Sequence, residues 1–375
     1  MKLFKWTAQP FLPSARKVST HFIAEEWARA GHETHIATVG LSWLSKLKQD
    51  AVYRALAKRQ KNRFLEIEPR LHAGAYIPPL HAFSSRNRVL NLLNRPLFRI
   101  YGGYIPGFLR PALTSADAVF FEPGTCLSFF HSARRLNPDA VFVYIKRDWL
   151  TTIGAAPYLQ ELERRILPEF DLVITPSSSI AAMTSQSCRT EILPQAIDKA
   201  AFDLSAPSPY EAGTRNAVSV GNMLFDEAAV RALAAADRSV TYHVFGATCA
   251  GDLPDNIVVH GEKPFRELVP YIRHADFGIA PYRMRKEDAY LAETSLKFLQ
   301  YAYCRLPVLT PDLIPDKRGN LVGYSLDGEL DWPGKVAAAL AMAKSESFGA
   351  DILGWDEVAA GILDRAVAVA EKTAA

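Results

Sequence analysis

Lys297 lies in the segment FGIAPYRMRKEDAYLAETSLKFLQYAYCRLPVLT, Phe277–Thr310, where residue types and spacing speak most directly to chemistry. A buried strand there ends in Pro281-Tyr282, and a polar loop leads to Glu293-Thr294-Ser295 and a helix that stops before Leu306-Pro307. In a doubly wound α/β domain the carboxyl end of a strand and the amino end of the next helix form an anion site. Thr294 or Ser295 can cap this helix, and Lys297 occupies its first turn, where the helix dipole disfavours a cation. Lys297 therefore calls for an anionic partner, and a diphosphate serves. The plain alternative is a solvated surface lysine. A second segment, VFVYIKRDWLTT, ends a buried strand at Ile145 and presents Lys146, Arg147 and Asp148 just past it. Glu122, in FFEPGT, precedes a predicted helix start that favours its anionic form.

Short apolar β-type runs alternate with longer helical patterns, which is the signature of βαβ units and parallel sheets. In the first half the pattern predicts strands at Leu3–Thr7, Thr34–Val39, Phe64–Glu68, Ala118–Glu122, Val141–Ile145, Leu172–Thr175 and Ile192–Pro194. Helices are predicted near 19–30, 86–100, 125–136, 157–168 and 177–187, the first capped by Ser19 or Thr20 and stopped by Gly31. The Pro-, Ser- and Ala-rich stretch 198–213 breaks the pattern and reads as a linker. A second series follows, with strands at Ala217–Val220, Tyr242–Phe245, Ile257–Val259, Phe277–Ala280 and Pro307–Leu309. Its helices fall near 226–236, 264–275, 294–304 and 332–344. The expected architecture is α/β, two doubly wound Rossmann-like domains facing a cleft: residues 1–200 for one, 213–350 for the other. The last helix, 355–375, packs back on the first.

The chain has 375 residues, enough for two domains with separate cores. Its 49% apolar content and net charge of +3 exclude a disordered protein. Cys126, Cys188, Cys249 and Cys304 are isolated, so neither a disulfide scaffold nor a zinc finger is expected, and reduced thiols fit a cytosolic setting. No apolar run is long enough to span a membrane, and Met1–Lys17 lacks the pattern of a signal peptide. P-loop, GxSxG, HExxH and GxGxxG motifs are absent. So is any Asp-x-Asp pair, which speaks against a nucleotide-sugar site that holds its diphosphate through a metal. The charge is unevenly spread: residues 1–110 carry 18 Lys+Arg against 6 Asp+Glu, the rest 25 against 34. Basic segments 46–63 and 86–110, the latter interleaving Arg86, Arg88, Arg95, Arg99 and Arg110 with apolar residues, suit an anionic membrane surface. A solvated helix face is the plain alternative. Nucleic acid is the competing partner, and no recognition motif supports it.

The strand–loop–helix–LPV arrangement of Phe277–Thr310 resembles the nucleotide-sugar site of GT-B glycosyltransferases. In their large retaining group two Glu flank that helix. Here Ala292 and Gln300 fall at those positions, so that group is disfavoured, although Gln300 can still bond ribose hydroxyls. SVGNMLFDEAAV (219–230), NIVVHGE (256–262), YIRHADFGIAPY (271–282) and SLKFLQY (295–301) resemble the GumK-like glucuronosyltransferases of xanthan-type exopolysaccharide synthesis. The similarity is strong over 215–310 and weaker but collinear through the first half.

That resemblance implies an inverting, metal-independent GT-B enzyme that moves glucuronic acid from UDP-glucuronic acid to a polyprenyl-diphosphate-linked oligosaccharide. It implies no cofactor and a peripheral place on the inner face of the plasma membrane. It further implies that Met223 and Glu262 line the UDP pocket and that Tyr282 packs near uracil and ribose. Ser295, Lys297 and Gln300 serve diphosphate and ribose, and Asp198 lies near the nucleotide. The plain alternatives are core packing for Met223 and Tyr282, a solvated strand end for Glu262 and a linker turn for Asp198. An inverting transfer needs one general base on the acceptor hydroxyl. Asp148 matches the family's catalytic Asp, although Lys146-Arg147 depart from its VYR context; a helix cap or a partner of Arg147 is the alternative. Glu122 is the second candidate base and His21 a weak further site candidate. The readings that remain open are another UDP-sugar donor on the same fold, or a non-catalytic two-domain sugar-binding protein.

Overall fold

Strands buried on both faces must be apolar throughout, and the aromatic and β-branched runs meet that demand. The computed structural model describes residues 1–12, 17–43, 45, 51–85, 87–204, 206–327 and 330–374. Arg16, Lys46, Lys48 and Arg86, counted above among the basic groups, lie outside the described residues. The chain divides into two compact units, Met1–Pro194 with Trp355–Ala375, and Gln195–Gly354.

The strands of the first unit are β1 (Lys2–Thr7), β2 (Glu33–Thr38), β3 (Phe64–Glu68), β4 (Leu71–Ala75), β5 (Ala118–Phe121), β6 (Val141–Ile145), β7 (Leu172–Thr175) and β8 (Thr190–Ile192). They form one sheet in the order β3-β4-β2-β1-β5-β6-β7-β8, parallel except for the β3–β4 pair. One face buries an aromatic cluster in which Trp6 stacks on Phe129 at 4.6 Å between ring centroids. Each such ring removed from water contributes about 1.5–3 kcal/mol. The helix Trp355–Ala374 belongs to this unit: Trp27 Nε1 donates to the Ala359 carbonyl at 2.9 Å, and Phe22 stacks on Trp355.

One local expectation fails, and in Thr20 the hydroxyl is taken by a stronger partner. Helix Ser19–Arg29 starts after Val18, and neither Ser19 nor Thr20 caps it. Thr20 instead donates to Glu122, while the Val18 N–H donates to His21 Nδ1 at 3.1 Å. Gly31 does end that segment, at φ +92°, a conformation that costs glycine little.

The second unit holds β9 (Ala196–Ile197), β10 (Arg215–Val220), β11 (Val240–Phe245), β12 (Ile257–Gly261), β13 (Phe277–Ile279), β14 (Val308–Pro311), β15 (Leu321–Tyr324) and β16 (Leu353–Gly354). Its main sheet is all parallel in the order β12-β11-β10-β13-β14-β15, and β9 pairs with β16. The stretch read as a linker, 198–213, is part of this unit. It starts with the short helix Lys199–Asp203, Tyr303 donates to Asp203 at 2.8 Å, and Tyr210 donates to the Tyr271 carbonyl at 2.6 Å. Phe202 and Tyr210 supply the anchoring that its Pro, Ser and Ala content conceals. The chain therefore passes between units at Pro194–Gln195 and Gly354–Trp355 rather than within 198–213.

Candidate functional site

The strand order of the second unit reverses between β10 and β13, and ligands of doubly wound sheets bind outside the carboxyl ends of the strands at such a point. Here the ladder ends early: β10 and β13 pair only through Ala217–Phe277 and Val218–Gly278. Beyond it the Tyr301 hydroxyl fills the gap, donating to the Val218 carbonyl and accepting from the Val220 N–H, both at 3.1 Å. Gly278 makes room for that ring, since a Cβ there would lie 2.5 Å from it. Two loops leave the opened end, 221–226 and 280–283. They are tied together by Asp226 N–H to the Pro281 carbonyl at 2.8 Å and Arg283 N–H to the Leu224 carbonyl at 2.7 Å.

Tyr282, Ser295 and Lys297 come together on these elements. The Tyr282 hydroxyl and Ser295 Oγ are 2.8 Å apart, and Lys297 Nζ sits 4.6 Å from the centroid of the Tyr282 ring. Ser295 is the residue before helix Leu296–Tyr303 but makes no side-chain cap, because its hydroxyl is committed to Tyr282; Thr294 does not cap it either. Lys297 is buried, only 9% exposed, so the solvated-surface alternative fails. A cation at a helix start, desolvated over an aromatic face, is placed to meet an anion. Tyr282 itself is 1% exposed, and its phenol is pushed up by burial. It contacts Ser295 and Lys297.

Met223 sits in the loop 221–226 at the reversal and is 43% exposed, which rules out the core alternative. Glu262 is exposed just past the end of β12, and Gln300 lies half-buried in helix Leu296–Tyr303. Asp198 caps helix Lys199–Asp203, accepting from the Ala201 N–H at 3.1 Å. Its segment is held beside the Lys297 helix by Gln195, which donates to the Thr294 carbonyl at 3.4 Å. The structure thus joins Tyr282, Ser295 and Lys297 directly and sets Met223 on the adjoining loop.

In the first unit the reversal falls between β1 and β5. Glu122, buried just past β5, collects two cations there: Lys5 Nζ at 3.1 Å and Arg147 Nη1 at 3.0 Å. Thr7 Oγ1 donates to it at 2.6 Å, and Thr20 donates as well. Burial pushes the Glu122 carboxyl up, but Lys5 and Arg147 outweigh it and hold the group well below the carboxylate range. A carboxylate so engaged is a poor proton acceptor, so Glu122 is unsuited to act as the base. Arg147 points to Glu122, and Lys146 pairs with Glu163 at 2.6 Å. Asp148 follows them, half-buried in the loop past β6. His21 uses both ring nitrogens structurally: Nδ1 accepts from Val18, so Nε2 carries the proton and faces the Pro10 carbonyl at 3.0 Å. Burial lowers its pKa, and both ring nitrogens are engaged within the unit. Lys5 escaped notice from sequence, although a lysine inside LFKWT, a run otherwise apolar, signals a buried partner.

Comparison with known proteins gives the family and the fold. A family model described as "Glucuronosyltransferase GumK, N-terminal domain" matches residues 6–176. The UDP-glucuronate:glycolipid 2-beta-glucuronosyltransferase of Xanthomonas campestris pv. campestris is 32% identical over 335 residues, covering 88% of this chain and 80% of the relative. Among solved structures, the trehalose-6-phosphate synthase OtsA aligns at TM-score 0.69 and 11% identity, covering 98% of this chain and 99% of that one. An Escherichia coli structure bound with UDP-2-fluoro glucose aligns at TM-score 0.63 and 12% identity, covering 98% and 95%. These likenesses give the GT-B fold, and the sequence relationship gives the family: the chain is a glycosyltransferase that belongs to the GumK glucuronosyltransferases.

Proposed function

We propose that this enzyme transfers glucuronic acid from UDP-glucuronic acid to a polyprenyl-diphosphate-linked oligosaccharide in exopolysaccharide synthesis, with inversion and without a metal. The observation that carries the reading is the buried cation Lys297, held over Tyr282 beside Ser295 at the sheet reversal of the second unit. Lys297 neutralises charge on the departing diphosphate, the task that an Asp-x-Asp-bound metal performs elsewhere. Met223 borders the nucleotide, Gln300 takes ribose hydroxyls, Asp198 lies near the nucleotide, and Glu262 lines the pocket. The name of the Xanthomonas relative describes a β-glucuronosyl product. From an α-linked donor such a product requires inversion, hence a single base, and Asp148 takes that role.

The test is release of UDP by the purified chain in chelator, offered UDP-glucuronic acid, UDP-glucose or UDP-galacturonic acid. UDP-glucuronic acid should turn over fastest. Faster turnover of another donor overturns the sugar assignment, and loss of activity in chelator overturns metal independence. Lys297→Ala should weaken UDP binding about 10–100-fold, the worth of a charge-assisted contact. Unchanged affinity removes Lys297 from the site.

A peripheral place on the inner face of the plasma membrane completes the proposal. Among the described residues no helix is long and apolar enough to cross a membrane. Helix Arg88–Gly102 buries Asn94, Phe98 and Tyr101 and leaves Val89, Leu90, Leu92, Leu93 and Ile100 exposed, the last at 72%. An apolar stripe of this kind, with exposed Arg99 beside it, suits insertion at a lipid headgroup boundary. Arg95 contributes less than its charge implies, since it pairs with Glu161 at 2.9 Å. Exposed Arg54, Lys58 and Arg59 on helix Ala51–Arg59 add about 1 kcal/mol each near an anionic surface. Leu92→Glu with Leu93→Glu should lower co-sedimentation with phosphatidylglycerol vesicles at least about tenfold. Equal partitioning of variant and wild type overturns the membrane assignment.

A further inference from the structure

At the other end of the first sheet lies a group of side chains that the transfer reaction does not use. His35 on β2 and His72 on β4 are register partners, so both imidazoles stand on one face of the sheet. Their rings stack at 4.6 Å between centroids and 14° between planes. Glu33, two residues before His35, shares that face, and its Oε1 lies 2.7 Å from His72 Nε2. One ligand atom from each of the three falls within 4.8 Å of the others. Two imidazoles and one carboxylate are the donor set of a divalent transition metal, with water free to take the fourth place of a tetrahedral ion. Bonds of about 2.0–2.2 Å place tetrahedral ligands about 3.4 Å apart, so side-chain rotation of roughly 1 Å closes the set. An entry path exists, since the His72 and Glu33 side chains are 22% and 38% exposed. Glu66 on β3 is the register partner of His72 and adds an exposed carboxylate on the same face. Lys2, the partner of Glu33 on β1, is the opposing cation.

We propose that Glu33, His35 and His72 bind one divalent transition-metal ion, zinc(II) by ligand class. The ion links β2 to β4, two strands whose residues come from opposite sides of a long connection. Its position separates it from the chemistry: Glu33 pairs with Lys2, and Thr7, which touches Glu122, lies five residues further along β1, about 16 Å. The site acts on stability, and it stands whether or not the proposed donor, stereochemistry or metal independence of transfer holds.

The test is calorimetric titration of the chelator-treated full chain with zinc(II), alongside thermal unfolding with and without the ion. Wild type should bind one zinc per chain, and His35→Gln and His72→Gln should each weaken binding at least about tenfold. Zinc should raise the unfolding midpoint of wild type and not that of the variants. Cobalt(II) should give visible absorption bands with wild type that both variants lose. Circular dichroism and UDP affinity, unchanged in both variants, report that they are folded. Absence of zinc binding below about 100 μM overturns the proposal. So does full affinity in both variants, which would place the ion on other His or Cys residues.

Discussion

Asp148→Asn should lower the rate of glycosyl transfer about 10²–10⁴-fold while leaving UDP affinity within about twofold of wild type. The size follows from the task. A positioned general base lowers the barrier by about 3–5 kcal/mol, and the amide keeps the shape of the side chain while losing its basicity. The case for Asp148 rests on what its neighbours do. Lys146 is committed to Glu163, Arg147 to Glu122, and Glu122 to Lys5, Arg147, Thr7 and Thr20. Glu122 is thereby unsuited to be the base, and Asp148, half-buried in the loop past β6, is the candidate that remains from the sequence. UDP affinity should be insulated from the change, because the residues proposed above for the nucleotide all belong to the second unit. Wild-type transfer rates in Asp148→Asn would remove it from the reaction, and a parallel loss of UDP affinity would recast it as structural.

The parts of this molecule that could be read from sequence are those whose partners are close in the chain. Tyr282, Ser295 and Lys297 fall within sixteen residues on one strand–loop–helix unit, so local chemistry pointed to them together. Strands such as Val141–Ile145 and Leu172–Thr175 were visible because a central parallel strand must be apolar on both faces. β4, LHAGA, was missed because Ala, Gly and His carry little strand preference, and its pairing with β2 decides its structure. The short segment β9 was hidden by the turn-like composition around it. The Glu33–His35–His72 group and the Glu122 cluster could not be read locally. Their outermost members are 39 and 142 positions apart, and only strand order and register bring them together. Caps failed in the same way, since Thr20 and Ser295 found distant or buried partners that no local rule includes.

Glu122→Gln should destabilise the first unit by about 3–5 kcal/mol, the usual cost of breaking a buried ion pair by removing one partner. For a unit of this size that lowers its unfolding midpoint by about 10 °C. Two cations lean on this one carboxylate, so the amide leaves Lys5, fully buried, and Arg147 without a counter-charge. Lys5→Met should cost far less. Its Nζ stands 3.1 Å from Glu122, and burial lowers its pKa to about 8 despite the carboxylate. Removing Lys5 leaves a balanced Glu122–Arg147 pair and replaces a buried ammonium by an apolar side chain, which is often neutral or favourable. The order of the two variants therefore tests which member organises the cluster. The pH dependence supplies a second check. The folded-state pKa of Glu122, about 2, lies below its unfolded value, so its contribution is complete above about 4.5 and is lost as pH falls toward 2. The folded-state pKa of Lys5 also lies below its unfolded value, so stability should rise as pH increases from about 8 toward 10.5 and stay flat below 8. Wild type should show both limbs, Lys5→Met should lose the alkaline one, and Glu122→Gln the acidic one. If Lys5→Met proves as damaging as Glu122→Gln, the lysine is the keystone and the assignment of Glu122 as organiser fails.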